Sequence, residues 1–512
     1  MFGRVFSPQL IKLFSQNLFS EETWHKYSMA KLSHKLLSPF MPLQHNLPLS
    51  DDASKVCTPG DGSTSNEVMD EKLRKNFSSL TQKDADYWKF LGRAKREHSH
   101  GDFQYPAMMV PQMQAELIKI LAEVRPDTKL IFDPFMGSGT VLGEAMAQGM
   151  GFGGCDINPL AVLLCHTKKG PFHQDASKTK QEQFISRLDR DVSSVIEVEF
   201  FNRDKWFEHY VAIDLSKIRR CIIAEPDLWF RRILWVVLAE TVRCTSNSRT
   251  STFKLHIRSK AEIETRSLQP RQLFLNTLER NLKSMLQQRA RLFSKHLLKD
   301  DDYTQPIHIV HGDTREVLFI EERSNKLIEH DLLITSPPYG DNTTTVPYGQ
   351  HSYLPLQWIA ISDIDTNFSD EWLKTTQEID RRSLGGSRRV EITTVQNLKS
   401  KSSTYIGVVE AYKDHKKDCL QRVTSFCHDL DSCIDPILRH LKSNSYMIWT
   451  VGNRMVGGLR VPFDTILTEL LEQRGVVAVD HIKRSIPTKR QAERNSFAET
   501  MSKETILVLR KN

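Results

Sequence analysis

The stretch KLIFDPFMGSGTVLGEAMAQGMGFGGCDINPLAVLL (129–164) leaves a chain few ways to fold. Leu130, Ile131 and Phe132 form a short apolar run of the kind found in buried strands. It leads directly into Gly137-x-Gly139, and a helical pattern follows from Thr140 to Gln148, with Gly149 placed to cap it. A second short strand, around Gly151 to Cys155, ends at Asp156. Strand, glycine loop, helix and strand make a βαβ half-unit, which fits a parallel sheet covered by helices. The expected class is α/β with a Rossmann-like sheet.

The rest of the chain extends that sheet with interruptions. The β pattern returns in PIHIVHGD (306–313), DLLITSPPYG (331–340), NSYMIWTVGNR (444–454), VVAVDHIKRSIP (476–487) and ETILVLR (504–510). Residues 165 to about 305 read as mainly helical, with the apolar DLWFRRILWVVLAETVRC (227–244) and the amphipathic FLNTLERNLKSMLQQRARLFSKHLL (274–298). A second helical insertion covers about 353–440. In HGDFQYPAMMVPQMQAELIKIL (100–121), Met113, Leu117, Ile120 and Leu121 share a helical face, and order is expected to begin there. Residues 1–99 read as a variable, partly disordered extension, with a linker-like SDDASKVCTPGDGSTSNE at 50–67.

Composition narrows the class. A chain of 512 residues, 39% hydrophobic, can bury a substantial core. Its net charge of +7 permits a polyanionic partner without requiring one. The 8 cysteines are scattered, with no CxxC pair and no zinc spacing, so reduced thiols and no structural metal are expected. No apolar run is long enough for a transmembrane helix. The start, MFGRVFSPQLIKLFSQNLFS, reads as a disordered or weakly helical extension rather than a transit peptide.

The glycine loop carries chemistry. Glycines after a strand let a ligand touch the backbone, and the helix start offers free N–H groups. Asp156, 19 residues after Gly137, stands where an acid can accept hydrogen bonds from both hydroxyls of a ribose. A dinucleotide fingerprint would need glycine where Leu142 stands, and no GK[ST] follows for a Walker loop. A nucleoside-type cofactor without pyrophosphate remains, and S-adenosylmethionine fits. Read alone, GxG is as often a helix-packing turn.

In the second loop, Pro337 and Pro338 cannot donate ladder hydrogen bonds, so the strand must stop there. DPFMGSGT, GCDINP and TSPPYG together resemble the DNA methyltransferases that modify exocyclic amines, cytosine N4 or adenine N6. The resemblance spans about 100–170 and 300–512 and implies a class I S-adenosylmethionine-dependent fold. It implies cofactor contacts by Asp133, Phe135, Gly137, Gly139, Thr140 and Asp156, with Asp313 of HGD near the adenine. FQYPAMMVP resembles the family's N-terminal motif, placing Tyr105 and Pro106 in the cofactor pocket. Ser336, Pro337, Pro338 and Tyr339 would be catalytic. The chain then divides into a cofactor-binding part (100–169), a helical insertion (170–305) that is a candidate for DNA recognition, and a catalytic part (306–512). The family usually inserts its recognition domain after the HGD strand, and here the large insertion precedes it.

The loop chemistry is physically intelligible. An amine conjugated to its ring is a poor nucleophile, and acceptors on its N–H groups favour a tetrahedral nitrogen with a localised lone pair. The Ser336 hydroxyl and the Pro337 carbonyl are such acceptors, preorganised by the prolines, while Tyr339 offers a ring for stacking the extruded base. The methyl donor is already cationic, so no metal is called for. SPPYGDNTTTVPYGQHSYLPLQW looks like the cytosine-N4 subgroup, and Ser rather than Asp at 336 points the same way. The expected activity is site-specific cytosine-N4 methylation of DNA. Adenine-N6 methylation, RNA guanine-N2 methylation and an inactive nucleic-acid-binding module are the rivals.

Double-stranded DNA is the expected partner, with a separate cognate restriction nuclease possible, no membrane, and a cytoplasmic, nucleoid-associated location. The segment 241–260 carries Arg243, Arg249 and Lys254 among many hydroxyls and no acid. RRSLGGSRR offers Arg381 and Arg388, and HIKRSIPTKRQAERNS (481–496) is a third basic run. Trp206 reads as core rather than as a base wedge.

Overall fold

A computed structural model of the chain describes residues 65–91, 98–321, 323–342, 345–387, 390–412, 417–486 and 503–512. Seven strands form one sheet: β1 (Leu130–Asp133), β2 (Gly151–Asp156), β3 (Ile307–His311), β4 (His330–Thr335), β5 (Leu441–Val451), β6 (Val477–Ser485) and β7 (Lys503–Arg510). Their order is β6-β7-β5-β4-β1-β2-β3. The strands from β5 through β3 run parallel, and β7 lies antiparallel to both β5 and β6. This is the expected Rossmann-like class I methyltransferase sheet.

Alternation along the strands builds two cores. Ile131, Leu332, Ile334 and Ile448 belong to one apolar cluster, whereas Phe132, Leu333, Met447 and Trp449 belong to the other. The helix Thr140–Ala147 starts after Gly139 and gives way to Gly149, whose φ of +77° suits a glycine closing a helix. The expected helix at 227–244 is Leu228–Thr245, and Leu234, Trp235, Val237 and Leu238 are fully buried in it. It packs against the helices Pro270–Phe293 and Tyr348–Trp358. These helices share the first apolar cluster with β1, so the 170–305 insertion is a layer of the same core.

One expectation is corrected upstream. Residues 1–64 lie outside the described residues, but order begins well before residue 100. The helix Ser65–Lys83 buries Leu73 and Phe77. Its buried Asp70 accepts from the Tyr446 hydroxyl at 2.7 Å and pairs with Arg510 at 3.1 Å. The helix is polar on most of its surface, so its narrow apolar stripe is a weak signal in the sequence. No helix among the described residues is long and apolar enough to cross a membrane.

Candidate active site

A cleft of about 890 Å³, including its open mouth, lies at the carboxyl ends of the strands. In open α/β sheets ligands bind at that edge. Its lining brings together residues from five separate parts of the chain: Tyr105 and Pro106, then Phe135, Gly137 and Thr140, then Asp156, then Asp313, then Ser336 and Pro338.

The glycine loop is held from beneath. Gly137 has φ +48°, and a Cβ there would meet the Tyr105 ring at 3.7 Å. Asp156 Oδ2 accepts from Gly137 N at 2.9 Å, and its Oδ1 accepts from Asn158 N at 2.8 Å. Burial pushes the Asp156 carboxyl up to about 6. Each oxygen keeps a further lone-pair site, so the acid can still accept from a ligand. Asp313 lines the same cleft, but its carboxylate is already gripped by Arg315, whose Nε lies 2.9 and 3.0 Å from its two oxygens.

Two expected cofactor residues do not line the cleft. Asp133 is fully buried and does not line the cleft. Its Oδ1 accepts from the Thr335 hydroxyl at 2.7 Å and from Phe135 N at 3.1 Å. Oδ1 thus ties the glycine loop to the end of β4, while Oδ2 is buried without a partner among the described residues. Burial pushes the carboxyl up to about 7. Gly139 does not line the cleft either. With φ +73° it supplies the left-handed turn into the helix, and a Cβ would collide with the Cys165 sulfur.

The proline loop shows a similar split. Ser336 Oγ donates to Thr450 O at 3.0 Å and lies 3.3 Å from the Tyr339 hydroxyl. Pro337 is buried behind the cleft. Tyr339 is half-buried and does not line it, and its hydroxyl donates to Glu504 Oε1 at 3.1 Å. Burial, with the nearby Glu504 carboxylate, holds that phenol well above its ordinary range.

Sequence reasoning passed over several residues of the site. Asn158 caps the helix Pro159–Lys168 by accepting from Leu160 N. Its amide also donates to the Tyr105 hydroxyl at 3.1 Å and to Ser352 Oγ at 2.7 Å, tying the N-terminal wall to the proline-loop side. An Asn before a helix-starting proline was a readable cap. Tyr348 stacks on Tyr105, with ring centroids 5.8 Å apart, and lines the cleft with Asn342. No periodicity marks either of them.

The basic residues divide. Arg243 is a correction: its guanidinium lies 2.6 Å from Glu240, and only 12% of the side chain is exposed. A paired, desolvated arginine holds the helix and is not free for phosphate. Arg249 is half-exposed and pairs with Glu262, while Lys254 is exposed on the same loop. That loop is fastened beside the cleft. Leu255 N donates to Gln350 Oε1 at 3.4 Å, and Phe253 packs on His351 at 5.6 Å, within the helix that Tyr348 begins. Arg381 is exposed and pairs with Glu378 at 3.1 Å. Arg388 and residues 487–496 of the third basic run lie outside the described residues. Trp206 is 7% exposed, a core residue as expected.

A family model described as DNA methylase matches residues 58–165. The Type II methyltransferase M.MvaI of Kocuria varians is 31% identical over 471 residues, covering 87% of this chain and 98% of that protein. The Type II methyltransferase M.MjaII of Methanocaldococcus jannaschii is 34% identical over 76 residues, 15% of this chain and 14% of that one. Among solved structures, the rRNA methyltransferase aviRa of Streptomyces viridochromogenes aligns at 9% identity and a TM-score of 0.28 over 79% of this chain and 86% of that one. That likeness is too low to bear on fold or function.

Proposed function

The chain belongs to the N6/N4 DNA methylase family, and from that premise we propose that it methylates the N4 amine of cytosine at a specific site in DNA, using S-adenosylmethionine. The observation that carries the reading is the shared wall: Gly137 and Asp156 from one side and Ser336 and Pro338 from the other line one cleft. A cofactor and an extruded base could meet only where such loops converge.

The residues present fit a nucleoside cofactor. Asp156 would accept from the ribose, the bare face of Gly137 would admit close approach, and Tyr105 with Tyr348 would supply an apolar wall. Bound S-adenosylmethionine supplies a methyl group on a cationic sulfur. The chain's own contribution is positioning. Ser336 sends its proton to Thr450 O, which leaves its lone pairs for the N–H of the target amine. Pro337 fixes the backbone that presents them. Arg249 and Lys254, on a loop fastened beside the cleft, would neutralise phosphates.

A neutral serine at 336 supports cytosine N4 over adenine N6. The two Type II methyltransferase relatives support a restriction–modification setting, with double-stranded DNA as substrate and a separate nuclease as companion. Mass spectrometry of nucleosides from DNA of expressing cells tests the reading. N4-methylcytosine is the expected product. N6-methyladenine in its place would move the target base, and neither product would overturn the proposal.

A further inference from the structure

We propose that Glu504 is a positioning residue that sets the direction of the hydrogen bonds around Ser336 and so keeps the serine an acceptor for the target amine. The inference rests on the function proposed above and extends it to a residue 165 positions beyond Tyr339, on another strand.

The argument begins with proton counting. An ionised carboxylate only accepts hydrogen bonds. Glu504 Oε1 lies 3.1 Å from the Tyr339 hydroxyl, so tyrosine must be the donor in that bond. A phenol has one proton. Once it is committed to Glu504, Tyr339 has no proton left to donate to Ser336, 3.3 Å away. The other neighbour of Ser336 Oγ is Thr450 O, a backbone carbonyl, which also only accepts. Among the described residues, therefore, no donor meets Ser336 Oγ, and its lone pairs stay open.

Without the carboxylate the chain of bonds would turn round. The Tyr339 proton would have Ser336 Oγ as its near acceptor and would occupy a lone pair that the amine needs. An amine with one acceptor fewer keeps its nitrogen more conjugated and reacts more slowly. Arg484 faces Glu504 from the neighbouring strand. The two residues stand directly opposite each other on β6 and β7, and Arg484 Nε lies 3.4 Å from Glu504 Oε2, with 2% of the arginine side chain exposed.

The isosteric variant Glu504→Gln separates this role from simple support. Arg484 would hold the amide oxygen, leaving the NH2 group to donate to Tyr339, which must then donate to Ser336. Single-turnover methyl transfer to DNA, with cofactor affinity measured by calorimetry on the same protein, reads the result. Glu504→Gln should slow transfer by at least about tenfold, the scale of losing one preorganised polar contact, with cofactor affinity unchanged. Adding Tyr339→Phe removes the competing donor, so the double variant should recover to within about threefold of Tyr339→Phe alone. A Glu504→Gln enzyme as fast as the wild type would overturn the proposal, because a mere tie tolerates an amide. So would a double variant no faster than Glu504→Gln. A wild-type chain that methylates no DNA would instead sink the proposed function.

Discussion

The Thr335 hydroxyl donates to Asp133 Oδ1 at 2.7 Å, so the last residues of two neighbouring strands are bonded to each other at the point where both loops leave the sheet. The glycine loop and the proline loop are thereby kept in one register. Thr335→Val would remove the donor and leave a buried carboxyl short of a partner, a loss of about 1–3 kcal/mol. Denaturant unfolding should show that loss, and cofactor affinity and methyl transfer should fall together.

Asp133 also gives the fold a pH signature. Its carboxyl is raised from 3.8 to about 7, so between those values the folded chain holds a proton that the unfolded chain has released. Stability from this group should therefore be greatest below pH 4, decline as pH rises to about 7, and then level off. Asp133→Asn should flatten that decline. Urea midpoints measured across the range decide the matter, and a wild-type slope in the variant would contradict it.

Asp156→Ala should weaken S-adenosylmethionine binding by about 2 kcal/mol or more, the scale of charge-assisted hydrogen bonds. It also removes the acceptor for Gly137 N, so part of the loss comes from a looser loop. Titration calorimetry on the folded variant checks this. Unchanged affinity would remove Asp156 from the cofactor site.

Ser336→Ala should lower kcat by roughly 10- to 1000-fold with little change in cofactor affinity. The serine stands on the opposite wall from the glycine loop, so the two readouts should separate. Full activity would mean that the target amine finds its acceptors elsewhere.

Charge removal on the loop beside the cleft should act through salt. Neutralising Arg249 and Lys254 together should weaken binding to all DNA sequences and reduce the salt slope by roughly 2 units. Arg243→Ala should behave differently. It leaves the buried Glu240 unpaired, and a loss of about 3–5 kcal/mol of stability is expected, visible in unfolding and not in the salt slope.

What the sequence disclosed was local. DPFMGSGT and DLLITSPPYG show their strand exits because glycine and proline each leave few backbone options, and those two exits do meet at the cleft. Gly137 and Ser336 were legible for that reason, Asp156 because an acid ends the following strand, and Tyr105 only through the resemblance of FQYPAMMVP to a family motif. What escaped was set by pairing across distance. Glu504 and Tyr339 meet only because β7 lies against β5, and nothing near ETILVLR signals it. Arg243 looked like a phosphate contact because its neighbours carry hydroxyls and no acids. Its partner Glu240 lies three residues earlier, on the same helix face, just before the 241–260 segment. Asp133 had the right residue type in the right motif, yet the hydroxyl that occupies it comes from β4.

The place of β7 has a consequence for synthesis. A ribosome delivers β5, then β6, and only afterwards the strand that lies between them. Until β7 emerges, β5 offers a bare hydrogen-bonding edge and β6 has nothing to join, so the growing chain carries an unsealed seam. Such edges invite pairing with other chains. Stalled nascent chains ending near residue 486 should therefore be markedly more aggregation-prone and protease-sensitive than the released protein, in which β7 closes the seam from both sides at once.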